Sequence, residues 1–127
     1  MKNLKQQGTL ARRVGEVVRR VIVELPPDLR TLAERIPVFC EWEMAEHWLE
    51  EGVADDSMGL FSGPALNEPT APDCLKLPSI TFFLAELWDY CGEDLSTFDE
   101  EVRITYIHEF GHCLGLDESE LEARRLV

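Results

Sequence analysis

STFDEEVRITYIHEFGHCLG, residues 96–115, has the marks of one long buried helix. Ser96 and Thr97 are good amino-terminal caps, and Asp99, Glu100 and Glu101 fill the first turn, where the helix dipole favours negative charge. At about 100° per residue, Val102, Ile104, Tyr106, Ile107, Phe110, Cys113 and Leu114 point in nearly every direction, so burial is expected on most sides. Gly115 is a natural stop. A helix clothed this way needs other elements packed around it.

The sequence before it supplies them. Leu10, Val14, Val17, Val18, Val21, Ile22 and Leu25 recur every three or four residues and form one apolar stripe, with Arg12, Arg13, Glu16, Arg19 and Arg20 opposite. That is an amphipathic helix docked on a core. Pro26 and Pro27 end it, and residues 28–36 read as a second short helix with Leu29, Leu32 and Ile36 turned inward. Three runs rich in β-formers, at residues 37–42, 57–62 and 79–84, are strand candidates. The acidic residues 43–56 between the first two read as an exposed helical turn or loop. Residues 63–78 hold four prolines and read as a long surface loop, and residues 85–91 as a helix stopped by Gly92. The expectation is a single α+β domain over residues 1–127.

Its length of 127 residues allows one hydrophobic core without crosslinks. Formal charge is −13, which argues against nucleic-acid and anionic-membrane partners, because both are bound chiefly through Lys and Arg. The charge is uneven: residues 1–40 carry eight basic and four acidic side chains, and the acid lies beyond them. No run of 18 apolar residues occurs, and MKNLKQQGTLARR at the amino terminus lacks the apolar centre of a secretory signal, so a cytoplasmic protein is expected. Cys40, Cys74, Cys91 and Cys113 form no CxxC pair and are expected to be free thiols.

Within the apolar helix stand His108, Glu109 and His112. Histidines four apart share a helix face, which lets two imidazole nitrogens reach one zinc ion at ~2.0–2.1 Å. Glu109 sits about 100° round, toward the side of a zinc-activated water, where it is placed to act as general base. Burying a carboxylate between two imidazoles without a metal or strong partners is costly, and that context favours a metal site over incidental core histidines. A catalytic zinc needs a third protein ligand and one open position. Fifteen residues follow His112, so the third ligand is expected nearby, after the turn allowed by Gly115. Glu118 is the first candidate and Asp117 the second.

Residues 108–121, together with Met58-Gly59-Leu60-Phe61-Ser62-Gly63 and Ser79-Ile80-Thr81-Phe82-Phe83, resemble the minimal zincin-like metallopeptidase family of small bacterial proteins, over about residues 25–121. The resemblance implies a minimal zincin-like fold: a small mixed β-sheet, a backing helix and an active-site helix near the carboxyl terminus. It also implies a metal-dependent peptidase acting on peptides or proteins. Two positions depart from the family's pattern. An aspartate is usual where Glu118 stands, and a second histidine is frequent where Cys113 stands; Cys113, about 100° round from His112, is expected in the core.

The sequence therefore points to a zinc metallopeptidase with Zn²⁺ on His108, His112 and Glu118. The alternative is a non-catalytic metal-binding or protein-interaction domain on the same scaffold. Tyr106 is about 200° from His108 and reads as packing. Met58 reads as structural. Tyr90, His47 and Arg103 are candidate oxyanion donors, and either residues 57–62 or residues 79–84 are the edge strand that would hold an extended substrate.

Overall fold

The computed structural model describes residues 4–50, 52, 57–63, 78–115 and 119, without the side chain of His47. Along them run α1 (Leu4–Glu24), α2 (Pro27–Glu34), β1 (Val38–Glu41), α3 (Glu46–Glu50), β2 (Gly59–Ser62), β3 (Ser79–Phe83), α4 (Leu84–Tyr90) and α5 (Leu95–Cys113). This is the α+β zincin-like arrangement. The expected proline-rich loop spans residues 63–78, of which 64–77 lie outside the described residues.

The sheet is mixed and has the order β1-β3-β2. β1 runs parallel to β3, with Val38 opposite Ile80, and β2 runs antiparallel to it, with Leu60 opposite Thr81. The central position of β3 follows from its composition. Ile80, Thr81, Phe82 and Phe83 are all buried, so neither face meets water, whereas β1 and β2 are only half-buried. β2 is therefore an edge strand and residues 79–84 are not.

α1 buries the stripe Leu10, Val14, Val17, Val18 and Val21, joined in the core by Leu25, while Ile22 is half-buried. Arg13 fixes it to α5 by a two-pronged pair with Asp99, Nε to Oδ1 at 2.9 Å and Nη2 to Oδ2 at 2.6 Å. α2 starts with proline in its first turn, where the missing N–H costs nothing. Its buried residue is Ala33, and Leu29 and Leu32 pack from the margin of the core.

Two expectations about α5 need correction. Its cap is Asp94, two residues ahead of Ser96: one carboxylate oxygen accepts both the Thr97 N–H, at 2.8 Å, and the Thr97 hydroxyl, at 2.7 Å. A carboxylate accepting an amide there outcompetes the hydroxyls that follow, and the same bonds hold the Asp94 carboxyl below its usual range. Burial is also one-sided. Phe98, Val102, Tyr106, Phe110, Gly111 and Cys113 are buried, but Ile104 is 38% exposed and Ile107 is half-buried. One flank of the helix faces a cleft rather than the core, and the histidines stand on that flank.

β2 lies so close to α5 that Gly59 has no room for a side chain: a Cβ there would stand 2.6 Å from the Cγ2 of buried Thr105. Thr105 is buried and β-branched, with few rotamers open to it in a helix, so relieving the contact requires a shift of its side chain or of the strand. Gly59→Ala is expected to push β2 off α5 and destabilise the protein by about 1–3 kcal/mol, as overpacking does. Urea unfolding of the variant measures this, and the paired change Gly59→Ala with Thr105→Ser should recover part of the loss.

Candidate metal centre

His108 and His112 occupy successive turns of α5 with their Nε2 atoms 3.0 Å apart and their rings edge to face, centroids 4.6 Å apart at 85°. Both side chains are half-buried. Two zinc–nitrogen bonds of ~2.0–2.1 Å at a tetrahedral angle place their nitrogens ~3.3–3.4 Å apart, so these rings need only a few tenths of an ångström of opening to share a metal. One ligand-type atom each of His108, Glu109 and His112 lies within 4.8 Å of the others. The donor set of two neutral imidazoles and a carboxylate suits zinc.

Glu109 is held from the sheet. Its Oε1 accepts the backbone N–H of Phe61 at 2.9 Å. The pairing explains why that N–H is available. Phe83 N donates to Met58 O, so Met58, Leu60 and Ser62 turn their backbone groups toward β3, while Gly59 and Phe61 turn theirs to the open edge. The carboxylate thus occupies one end of a strand edge whose remaining outward groups have no backbone partner among the described residues.

This edge and the helix flank enclose a cleft of about 310 Å³ lined by Ser57, Met58 and Gly59 on one side and Glu101, Ile104, Thr105, His108 and Glu109 on the other. Behind the histidines the structure is closed. Tyr106 stacks on Phe110, centroids 6.0 Å apart and planes within 2°, and is 1% exposed. Desolvation, with the neighbouring Cys113 thiol adding to it, pushes the Tyr106 phenol up to about 12. Tyr106 packs, as expected, and holds its proton at neutral pH. Cys113 is fully buried and belongs to the core rather than to the histidine cluster.

Of the candidate oxyanion donors, Tyr90 is 65% exposed and lies beyond Met58 with Glu86 and Asp89. Arg103 lines a separate groove between α1 and α5 with Arg20 and Asp99. Neither lines the cleft that holds His108 and Glu109. The expected role of His47 falls on a side chain outside the described ones, and Glu118 and Asp117, the two candidates for third ligand, also lie outside the described residues. Met58 packs against the core and also borders the cleft. Three features escaped the sequence reading: the Phe61 amide on Glu109, the contact at Gly59, and Glu101 in the cleft wall. A glycine inside a strand pattern is a signal for close backbone approach and could have found the second of these.

Cys40, Cys91 and Cys113 are free thiols, each pushed up to about 11. Desolvation is the main cause, joined at Cys91 by the charges of Glu101 and Asp94. Folding therefore favours the protonated thiols. Their contribution is whole below about pH 9, where unfolded thiols begin to ionise, and is lost as pH rises toward 11. The melting temperature should fall across that window. Thiol titration at pH 8 should find these three slow to react until denaturant is added.

The zincin-like metallopeptidase family matches residues 33–126, which takes in every strand, the cleft and the His108-Glu109-Phe110-Gly111-His112 string. No curated protein matches the chain. Among the described residues no helix is long and apolar enough to cross a membrane.

Proposed function

The chain belongs to the zincin-like metallopeptidase family, and on that premise we propose that it hydrolyses peptide bonds with zinc held by His108, His112 and Glu118 and with Glu109 as general base. The observation that carries this reading is the convergence of two imidazole nitrogens at 3.0 Å beside a carboxylate, in a cleft bordered by an open strand edge. When bound by these residues, zinc would supply Lewis acidity to water and to a substrate carbonyl.

The chain's own residues do the rest. His108 and His112 offer lone pairs from Nε2, which requires both nitrogens unprotonated and replaces the contact they make with each other. Glu118 would add a third, anionic ligand, with Asp117 as the second candidate. Glu109 takes a proton from the attacking water and delivers it to the leaving amine, and the Phe61 N–H keeps its carboxylate oriented toward the strand edge. The outward N–H and C=O of Gly59 and the C=O of Phe61 would offer a peptide the hydrogen bonds of an added strand.

The test pairs metal analysis of protein purified without added zinc with cleavage of a degenerate peptide library, with and without chelator. Stoichiometric zinc and chelator-sensitive cleavage are expected. Zinc without cleavage would instead assign the chain to the non-catalytic binding alternative.

A further inference from the structure

The cleft has a charged end remote from the histidines. Glu101, Thr105 and His108 lie along one flank of α5, and the seven helical steps from Glu101 to His108 span about 10.5 Å. β2 runs beside the helix in the same sense, since Gly59 meets Thr105 and Phe61 meets Glu109. Met58, just ahead of the strand, is therefore level with the Glu101–Ile104 turn of α5. A strand added to this edge covers the same distance in about three residues at ~3.3 Å each.

Around Met58 the walls are acidic. Glu101 is half-buried in the cleft and has no hydrogen-bond or ion-pair partner among the described residues. Across Met58 a second depression of about 320 Å³ is lined by Glu86, Asp89 and Tyr90. Among the described residues no lysine or arginine lines either hollow. Three carboxylates thus face two hollows that meet at one methionine, whose flexible apolar side chain suits the stem of a long side chain.

We propose that the Met58 end of the cleft is a specificity subsite for a lysine or arginine two or three residues from the scissile bond, with Glu101 as its principal determinant. The substrate class is then a basic peptide. Ile104 and Met58 would cover the aliphatic stem while Glu101 receives the charged head, and Glu86 and Asp89 raise the local cation concentration. This inference rests on the hydrolase reading for the position of the scissile bond, but selective binding does not depend on turnover.

The experiment uses three otherwise identical fluorescent peptides carrying Lys, Ala or Glu at the third position on either side of the central bond. Binding is followed by anisotropy on the zinc-loaded Glu109→Gln variant, and cleavage by the wild-type protein. The expected result is a preference of about tenfold for Lys over Ala on one side only, with Glu weakest. Glu101→Gln should reduce the ratio of Lys to Ala severalfold, and Glu101→Lys should invert the order so that the Glu peptide is preferred. Thermal melts of both variants establish that they fold. Equal affinity for the three peptides, or a Lys preference unmoved by Glu101→Lys, overturns the subsite even if chelator-sensitive cleavage is seen. Selective binding that tracks Glu101 without any cleavage upholds the subsite and removes the hydrolase.

Discussion

Glu109→Gln is expected to lower peptide hydrolysis by ~10²–10⁴-fold while leaving zinc stoichiometry and melting temperature close to those of the wild-type protein. The prediction separates two jobs that a carboxylate beside two histidines might do. Glutamine keeps the shape and one carbonyl oxygen, so it still accepts the Phe61 N–H now received by Oε1 at 2.9 Å, and the packing of α5 on β2 is unchanged. What it cannot do is take up a proton from water. A variant that keeps its metal and its fold but loses turnover identifies Glu109 as the base. Full activity in Glu109→Gln would exclude that role, and loss of zinc along with activity would make Glu109 a ligand, as its closeness to both imidazoles also permits. Glu109→Asp is a useful companion, because its shortened side chain keeps the charge but cannot reach Phe61 and the cleft together. Activity should fall there as well, by less than in the glutamine variant.

The elements of this fold were legible wherever one physical signal dominated. The stripe from Leu10 to Leu25 had a single solution, a helix buried along one side, and α1 is that helix. The run Ser79-Ile80-Thr81-Phe82-Phe83 was legible as a strand, but its central place was not: residues 79–84 stood as a candidate edge strand until the pairing put β3 between β1 and β2. Pairing is a long-range choice. Nothing local in Val38 to Glu41 or Gly59 to Ser62 states that one lies parallel and the other antiparallel to β3. The start of α5 was misplaced because Asp94, Ser96 and Thr97 are all competent caps, and only the geometry of the turn from Cys91 to Asp94 selects the aspartate. The histidine pair was legible because four-residue spacing fixes a shared face whatever the tertiary fold. The Phe61 amide was not, since a backbone donor carries no side-chain signature and its direction follows from the register of β2 against β3. Glu101 was read as dipole compensation in the first turn. Its position in the cleft depends on where Met58 sits, which is again a matter of sheet pairing.

Removing either imidazole should abolish the response of the protein to zinc. A ligand that binds only the folded state stabilises it by about 2.7 kcal/mol at a free concentration one hundred times its dissociation constant, which for a chain of this length raises the melting temperature by about 10 °C. The wild-type protein is expected to show that rise when zinc is added to metal-free material, and His108→Ala and His112→Ala are expected to show none. The metal-free proteins provide the control. In them the histidines meet each other at 3.0 Å on a half-buried helix flank, where losing a polar contact costs little, so each alanine variant should lie within about 1 kcal/mol of metal-free wild type. Calorimetric melts of the three proteins, each with and without zinc, read both quantities at once. A substantial zinc-induced rise surviving in both alanine variants would place the metal elsewhere in the chain. A variant that melted far below metal-free wild type would mean that the imidazoles hold α5 in place rather than a cation. Glu118→Ala and Asp117→Ala extend the same measurement to the acidic segment after Gly115: the true third ligand is the residue whose loss weakens the rise, and Glu118 is expected to be that residue.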